Sequence, residues 1–236
     1  MAIGEVSLNI LLMVLCYAYI LFIIFISSKM ERLLGISRKI SRKFLHVMIG
    51  NFPFIIPFFT ANIFPVLVAA PFIAVTFLAS PYSPFKSLSQ KMKGLASISE
   101  GGHGLGLVFY AIAYTLLALF FASKPEVIAA GILPMAYGDA AASLIGERFG
   151  KRKYKVIANK SLEGSVAMFI AGFSSFTLCL IFFSLLYSFQ IFNKIFVAIG
   201  VATVTTVVEA FSPMGFDNLT VPAAGALAYL LLCGGV

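Results

Sequence analysis

Long apolar runs separated by short polar loops recur from one end of the chain to the other. An α-helix needs about 20 apolar residues to cross the roughly 30 Å hydrocarbon core of a bilayer. Eight stretches approach that length: residues 6–26, 44–59, 63–79, 105–122, 127–145, 165–187, 195–208 and 219–235. The second is short and carries Pro53 and Pro57, which predicts a kinked or re-entrant passage. The expected fold is an all-α polytopic membrane helix bundle with about eight transmembrane helices, forming a single membrane domain over residues 1–236. The first run has no basic stretch before it and exceeds the length of a signal-peptide core. Followed by Lys29 and Arg32, it reads as a retained span.

Composition agrees. Hydrophobic residues make up 61% of the chain and charged residues 11%, against roughly 25% charged in soluble domains. Mean hydropathy is +1.02. The net charge of +8 is concentrated, since of 17 Lys and Arg only Lys124 and Lys194 lie outside residues 27–43, 80–104 and 146–164. By the positive-inside rule these loops face the cytoplasm, as do residues 209–218, and both ends of the chain lie outside. Topology and anionic headgroups therefore account for the charge, and no nucleic-acid partner is implied. Cys16, Cys179 and Cys233 stand alone within apolar runs, which suits packing rather than zinc or redox chemistry. Leu88, Met92 and Leu95 share a helical spacing in the longest loop. That loop reads either as an amphipathic lid on the membrane surface or as an ordinary connection.

The stretch from Tyr137 to Gly164 carries the strongest chemistry. Asp139 falls about six residues, roughly 9 Å, inside its span. A carboxylate there costs on the order of 2.5–3.5 kcal/mol to insert, so it needs a partner or a wet cavity. Ser143, Gly146 and Gly150 follow on the same helical face. Small residues there let a neighbouring backbone approach, or free N–H groups for a phosphate. Gly146-Glu-Arg-Phe-Gly150-Lys151 is not a Walker loop, because the spacing differs and no Ser or Thr follows the lysine. Next, Asn159-Lys160-Ser161-Leu162-Glu163-Gly164 opens a span, with Ser161 a natural N-cap and Lys160 a point charge for a phosphate or a topology anchor. Glu209, Asp217 and Asn218 flank another turn on the same side. Two carboxylates and an amide suit magnesium, while Asp217 or Asn218 also suits a helix cap. His46, one turn after Arg42, and His103 are weaker candidates for phosphate contact, and His46 for proton transfer.

The blocks GDAAASLIGERFGK, NKSLEGS and VEAFSPMGFDNLTVP, preceded by SRKFLH and EGGHGLGLVFY, resemble those of the phytol kinase and dolichol kinase family of CTP-dependent prenol kinases. The likeness runs from about Arg42 to Pro222 in the same block order. It implies phosphoryl transfer from CTP to a membrane prenol at the cytoplasmic face, in the cell membrane of a prokaryote. It also implies Mg2+ held by Asp139, Glu209, Asp217 and Asn218. Nucleotide contacts would come from Gly138, Ser143, Gly146, Gly150, Lys151, Asn159, Lys160, Ser161, Glu163 and Gly164, and catalysis from Asp139 and Lys160, with His46 or a carboxylate as base. Phosphatidate cytidylyltransferases share the Gly-Asp and Lys-Ser-x-Glu-Gly elements more loosely, so a CDP-lipid synthase is the alternative. A transporter using Asp139 and Glu209 ranks below both.

Overall fold

The computed structural model describes residues 3–92, 94–96, 104–157, 159–213 and 215–234. His103 and the tip of its loop lie outside the described residues. The chain divides into two compact units, Met1–Ser123 and Lys124–Val236.

In the first unit, α1 (Ile3–Leu34) ends at Gly35, whose φ of 63° suits a residue without Cβ. Ser37 then caps α2 (Arg38–Ile49), an amphipathic helix that buries Ser41, Arg42, Leu45 and His46 along one stripe. The stretch 44–59 is not one helix. After Ile49 the chain takes two short 3₁₀ turns, Phe52–Phe54 and Ile56–Phe58. Pro53 and Pro57 lack the N–H that a continuing α-helix needs, and each sits in a 3₁₀ turn instead. This segment nevertheless runs antiparallel to α1 for most of its length. Tyr19 donates to the Met48 carbonyl at 2.8 Å. Farther along, Asn9 Nδ2 donates to Thr60 Oγ1 at 2.6 Å while the Thr60 N–H returns a bond to Asn9 Oδ1 at 2.9 Å. The return pass is α3 (Ile63–Ala69) and α4 (Pro71–Leu78), broken at Pro71. After the surface helix α5 (Lys86–Lys91), α6 (Gly106–Phe121) makes a fourth pass. Tyr110 and Tyr114 of α6 donate to the carbonyls of His46 and Ile49, both at 3.1 Å.

In the second unit, α7 (Pro125–Leu133), a π-helical turn (Pro134–Gly138) and α8 (Asp139–Phe149) form one continuous rod. A small antiparallel hairpin, β1 (Lys153–Lys155) with β2 (Asn159–Ser161), pairs Tyr154 with Lys160. Three helices follow: α9 (Leu162–Tyr187), α10 (Phe192–Phe211) and α11 (Asp217–Leu232). Ile128, Ile132, Leu133, Met168, Phe176 and Phe183 are fully buried between them.

Among the described residues, four helical stretches are long and apolar enough to cross a bilayer: Gly4–Met30, Pro125–Phe149, Leu162–Tyr187 and Phe192–Phe211. Three shorter apolar stretches, Ile63–Leu78, Gly106–Phe121 and Asp217–Leu232, accompany them. Exposed Leu11, Phe22, Phe120, Leu185 and Phe196 cover the outside of these helices, as a lipid solvent requires. The protein is an all-α membrane protein.

Candidate active site

The polar side chains of the second unit gather where its helices begin and end. Asp139 is the first residue after the π turn. A π turn adds a residue to the helical repeat and is common where a helix presents a functional side chain. Pro134, with no N–H to give, opens this one. Gly172 packs onto Pro134 and Gly138 onto Met168, so α9 lies tight against the turn.

Lys160 is carried by β2, and three bonds fix the hairpin to the start of α9. The Arg152 N–H reaches both carboxylate oxygens of Glu163, at 3.2 and 3.3 Å. The Leu162 N–H donates to the Arg152 carbonyl at 2.9 Å, and the Tyr154 and Ser165 hydroxyls lie 2.6 Å apart. Ser161 caps α9 by accepting from the Gly164 N–H at 3.1 Å. Glu163, expected among the nucleotide contacts, thus also ties the hairpin to α9.

From there the Lys160 ammonium meets Glu209, in the last turn of α10, in an ion pair. The Glu209 side chain is only 3% exposed and the lysine 22%. Burial alone would lower the pKa of Lys160. The Glu209 carboxylate, through charge and hydrogen bond, outweighs that, and Asp217 and Asp139 add to it, so the lysine is held above its ordinary value and stays protonated. Lys160 and Glu209 are in contact, and Asp139 and Asp217 lie within electrostatic reach of the pair, so four separate elements bring charge to one region. Asp217 opens α11, and its Oδ1 accepts from the Asn218 N–H and Nδ2 at 2.9 and 3.1 Å. Asn218 Nδ2 also donates to the Gly215 carbonyl at 3.2 Å. The opposite atom, Asn218 Oδ1, is buried with no hydrogen-bond partner among the described residues.

The glycines behave differently from a phosphate cradle. A Cβ at Gly164 would sit 2.9 Å from the Ala142 carbonyl oxygen. At Gly146 it would sit 3.0 Å, and at Gly150 2.7 Å, from Ser161 Oγ. Their smallness brings α8 and α9 together backbone to backbone, the packing alternative offered by the sequence. Ser143 is half-buried on the same helix, while Lys151 and Asn159 are exposed on the hairpin. His46 belongs to the first unit. It is 2% exposed and stacked on Tyr110 with ring centroids 4.6 Å apart.

Among the described residues no three His, Cys, Asp or Glu side chains form a ready-made metal cage. Magnesium needs none, because it is commonly held by one or two carboxylates with substrate phosphates and water completing the shell. The excess of carboxylate over ammonium and the unmatched Asn218 oxygen fit such an ion. Glu209, expected as a ligand, pairs with the lysine. Sequence reasoning missed the π turn, signalled only by Pro134 within a span, and the hairpin, whose Lys/Tyr alternation is too short to distinguish.

A wheat (Triticum aestivum) protein described as a probable chloroplastic phytol kinase is 31% identical over 212 residues, 84% of this chain and 69% of that one. The chain belongs to the phytol kinase family. The phytol kinase of Synechocystis sp. is 40% identical over 144 residues, 59% of this chain and 60% of its own length. The CTP-dependent diacylglycerol kinase 1 of Schizosaccharomyces pombe is 32% identical over 141 residues, 57% of this chain and 63% of that protein. The chain thus spans well under the full length of these curated family members. No family model and no solved structure matches.

Proposed function

We propose that the chain is a CTP-dependent kinase that phosphorylates the hydroxyl of a membrane prenol such as phytol or geranylgeraniol, working at the cytoplasmic face of a prokaryotic cell membrane. The observation that carries this reading is the Lys160–Glu209 ion pair at one end of the second unit, with Asp139 and Asp217 within electrostatic reach of it. Family membership supports it, as do the activities for which the relatives are named. The chain would thread the bilayer eight times, the second pass made by α2 with its 3₁₀ turns. The basic loops then share the side on which the acidic cluster lies.

Asp139 and Asp217, with Asn218 Oδ1 beside them, would hold Mg2+, which when bound neutralises charge on the triphosphate. Lys160, kept protonated by its neighbours, presents a fixed positive charge to phosphate oxygens. Glu209 aims it from a desolvated position. Phosphoryl transfer asks mostly for positioning and charge stabilisation, which these groups offer. The prenol oxygen forms the new P–O bond as the bond to CDP breaks, and the hydroxyl proton goes to a carboxylate, for which Asp139 is our candidate. His46, the other candidate base, lies in the first unit, stacked on Tyr110.

Purified protein incubated with γ-labelled CTP, magnesium and phytol, geranylgeraniol, dolichol or diacylglycerol tests the proposal. Label in the lipid and CDP in solution support it. Label released as pyrophosphate together with a CDP-lipid identifies a cytidylyltransferase and rejects it. Label entering diacylglycerol alone rejects the prenol as acceptor.

A further inference from the structure

The hairpin between α8 and α9 presents two unlike faces. Residues directly opposite each other in an antiparallel pair share a face, and their neighbours along the strand point the other way. Tyr154 and Lys160 form such a pair, half-buried and turned inward, the one to Ser165 and the other to Glu209. Lys153 and Lys155 point away from that face and are exposed, as are Lys151 and Arg152 just before them. Beyond β1 the chain turns through Val156 and Ile157, 44% and 54% exposed. A hairpin tip that faces water favours Gly, Asn or Asp, which take turn geometry and are well hydrated. Two β-branched aliphatic residues suit neither requirement.

The hairpin also stands at the edge of the bilayer. β2 passes directly into α9, which is long and apolar enough to cross a membrane. Leu162, Val166 and Ile170 recur on α9 at four-residue spacing and are exposed, so a lipid-facing stripe begins at the residue after the strand. On the other arm, exposed Ile145 and Phe149 end α8 in the same way. From Ile157 to Ser161 is at most about 14 Å of extended chain. The bond from Tyr154 to Ser165 draws the stem back along the first turn of α9, toward the membrane.

We infer that the outer face of this hairpin docks on the anionic headgroups of the adjoining leaflet, with Val156 and Ile157 dipping into the interface. Lysine stems lie along apolar surface while their ammonium groups reach lipid phosphates. Beside an anionic leaflet each basic residue strengthens partitioning about fivefold. A nucleotide accounts for the lysines but not for the aliphatic tip, and an apolar protein partner accounts for the tip but not for the cations around it. An anionic bilayer surface accounts for both. Because Lys160 lies on the inner face, lipid outside and Glu209 inside hold the same two strands, and headgroup charge steadies the position of the Lys160 ammonium. The docking does not depend on the kinase reading.

The chain contains no tryptophan, so Ile157→Trp, or Val156→Trp as a second placement, supplies a single fluorophore at the tip. The full chain is placed in nanodiscs of phosphatidylcholine with or without phosphatidylglycerol, with lipids brominated high on the acyl chain as quenchers. Blue-shifted emission that bromolipid quenches is expected in the anionic bilayers. Exchanging Lys153 and Lys155 together for Gln should lower partitioning of the tip by roughly 25-fold, at about fivefold per lysine, and molar salt should weaken it too. Water-like emission from both placements overturns the inference. So does blue-shifted emission that bromolipid leaves unquenched, which puts the tip against protein. Equal quenching in purely zwitterionic bilayers overturns the anionic assignment, as does a shift produced there by inorganic phosphate, which gives the lysines to a free anion.

Discussion

The two units are both built from apolar helices, but they use them in opposite ways. In the first, two passes are broken at prolines, the interior is left open, and the polar side chains near the cavity are bonded to main-chain carbonyls. In the second, the passes are long, glycines draw α8 and α9 into backbone contact, and acidic and basic groups meet where the helices end. Broken helices that cannot pack fully leave apolar volume. Continuous helices that pack tightly carry their terminal charges to a common place.

The largest test of this contrast is Asp139→Asn, which should cost label transfer about a hundredfold or more while membrane insertion and the unfolding midpoint in detergent hold. Near-normal turnover would remove the acidic cluster from the chemistry. Lys160→Met should abolish transfer too and also destabilise by about 3 kcal/mol, because it strands the buried Glu209. Pairing the change with Glu209→Gln should restore most of the stability and none of the activity, which a double-mutant cycle measures. The same pair gives a pH signature. Lys160 has a raised folded pKa, so its contribution is complete below the ordinary lysine value and is lost as pH rises through the folded one. Wild-type stability should fall at strongly alkaline pH, and that part of the fall should be missing from the Lys160→Met variant.

Smaller effects separate packing from chemistry. A Cβ at Gly225 would lie 2.3 Å from the Ala130 carbonyl oxygen, so Gly225→Ala should cost about 1–3 kcal/mol by forcing α7 and α11 apart. Turnover should fall with it, since α11 carries Asp217. In the first unit, Asn9→Leu removes both bonds to Thr60 and should cost about 1–2 kcal/mol. Activity per folded molecule should be unchanged. An Asn9→Leu protein that is stable but inactive would break the division of labour between the units.

Hydropathy alone determined the lipid solvent, the helical class and the position of seven apolar helices among the described residues. These follow from transfer energies summed over whole segments, which are large and insensitive to neighbours. The motif blocks also singled out Asp139, Lys160, Glu209 and Asp217, because a charge placed in or beside an apolar run is costly without a purpose. Only the tertiary structure decided what those residues do to one another. It paired Glu209 with Lys160, tied the hairpin to α9 through Glu163 and used Gly146, Gly150 and Gly164 for helix contact. It also opened the cavity beside the prolines. Each of these depends on distances between segments far apart in the chain, where a shift of an ångström separates a ligand from an ion-pair partner, and no pattern along one strand of sequence encodes that.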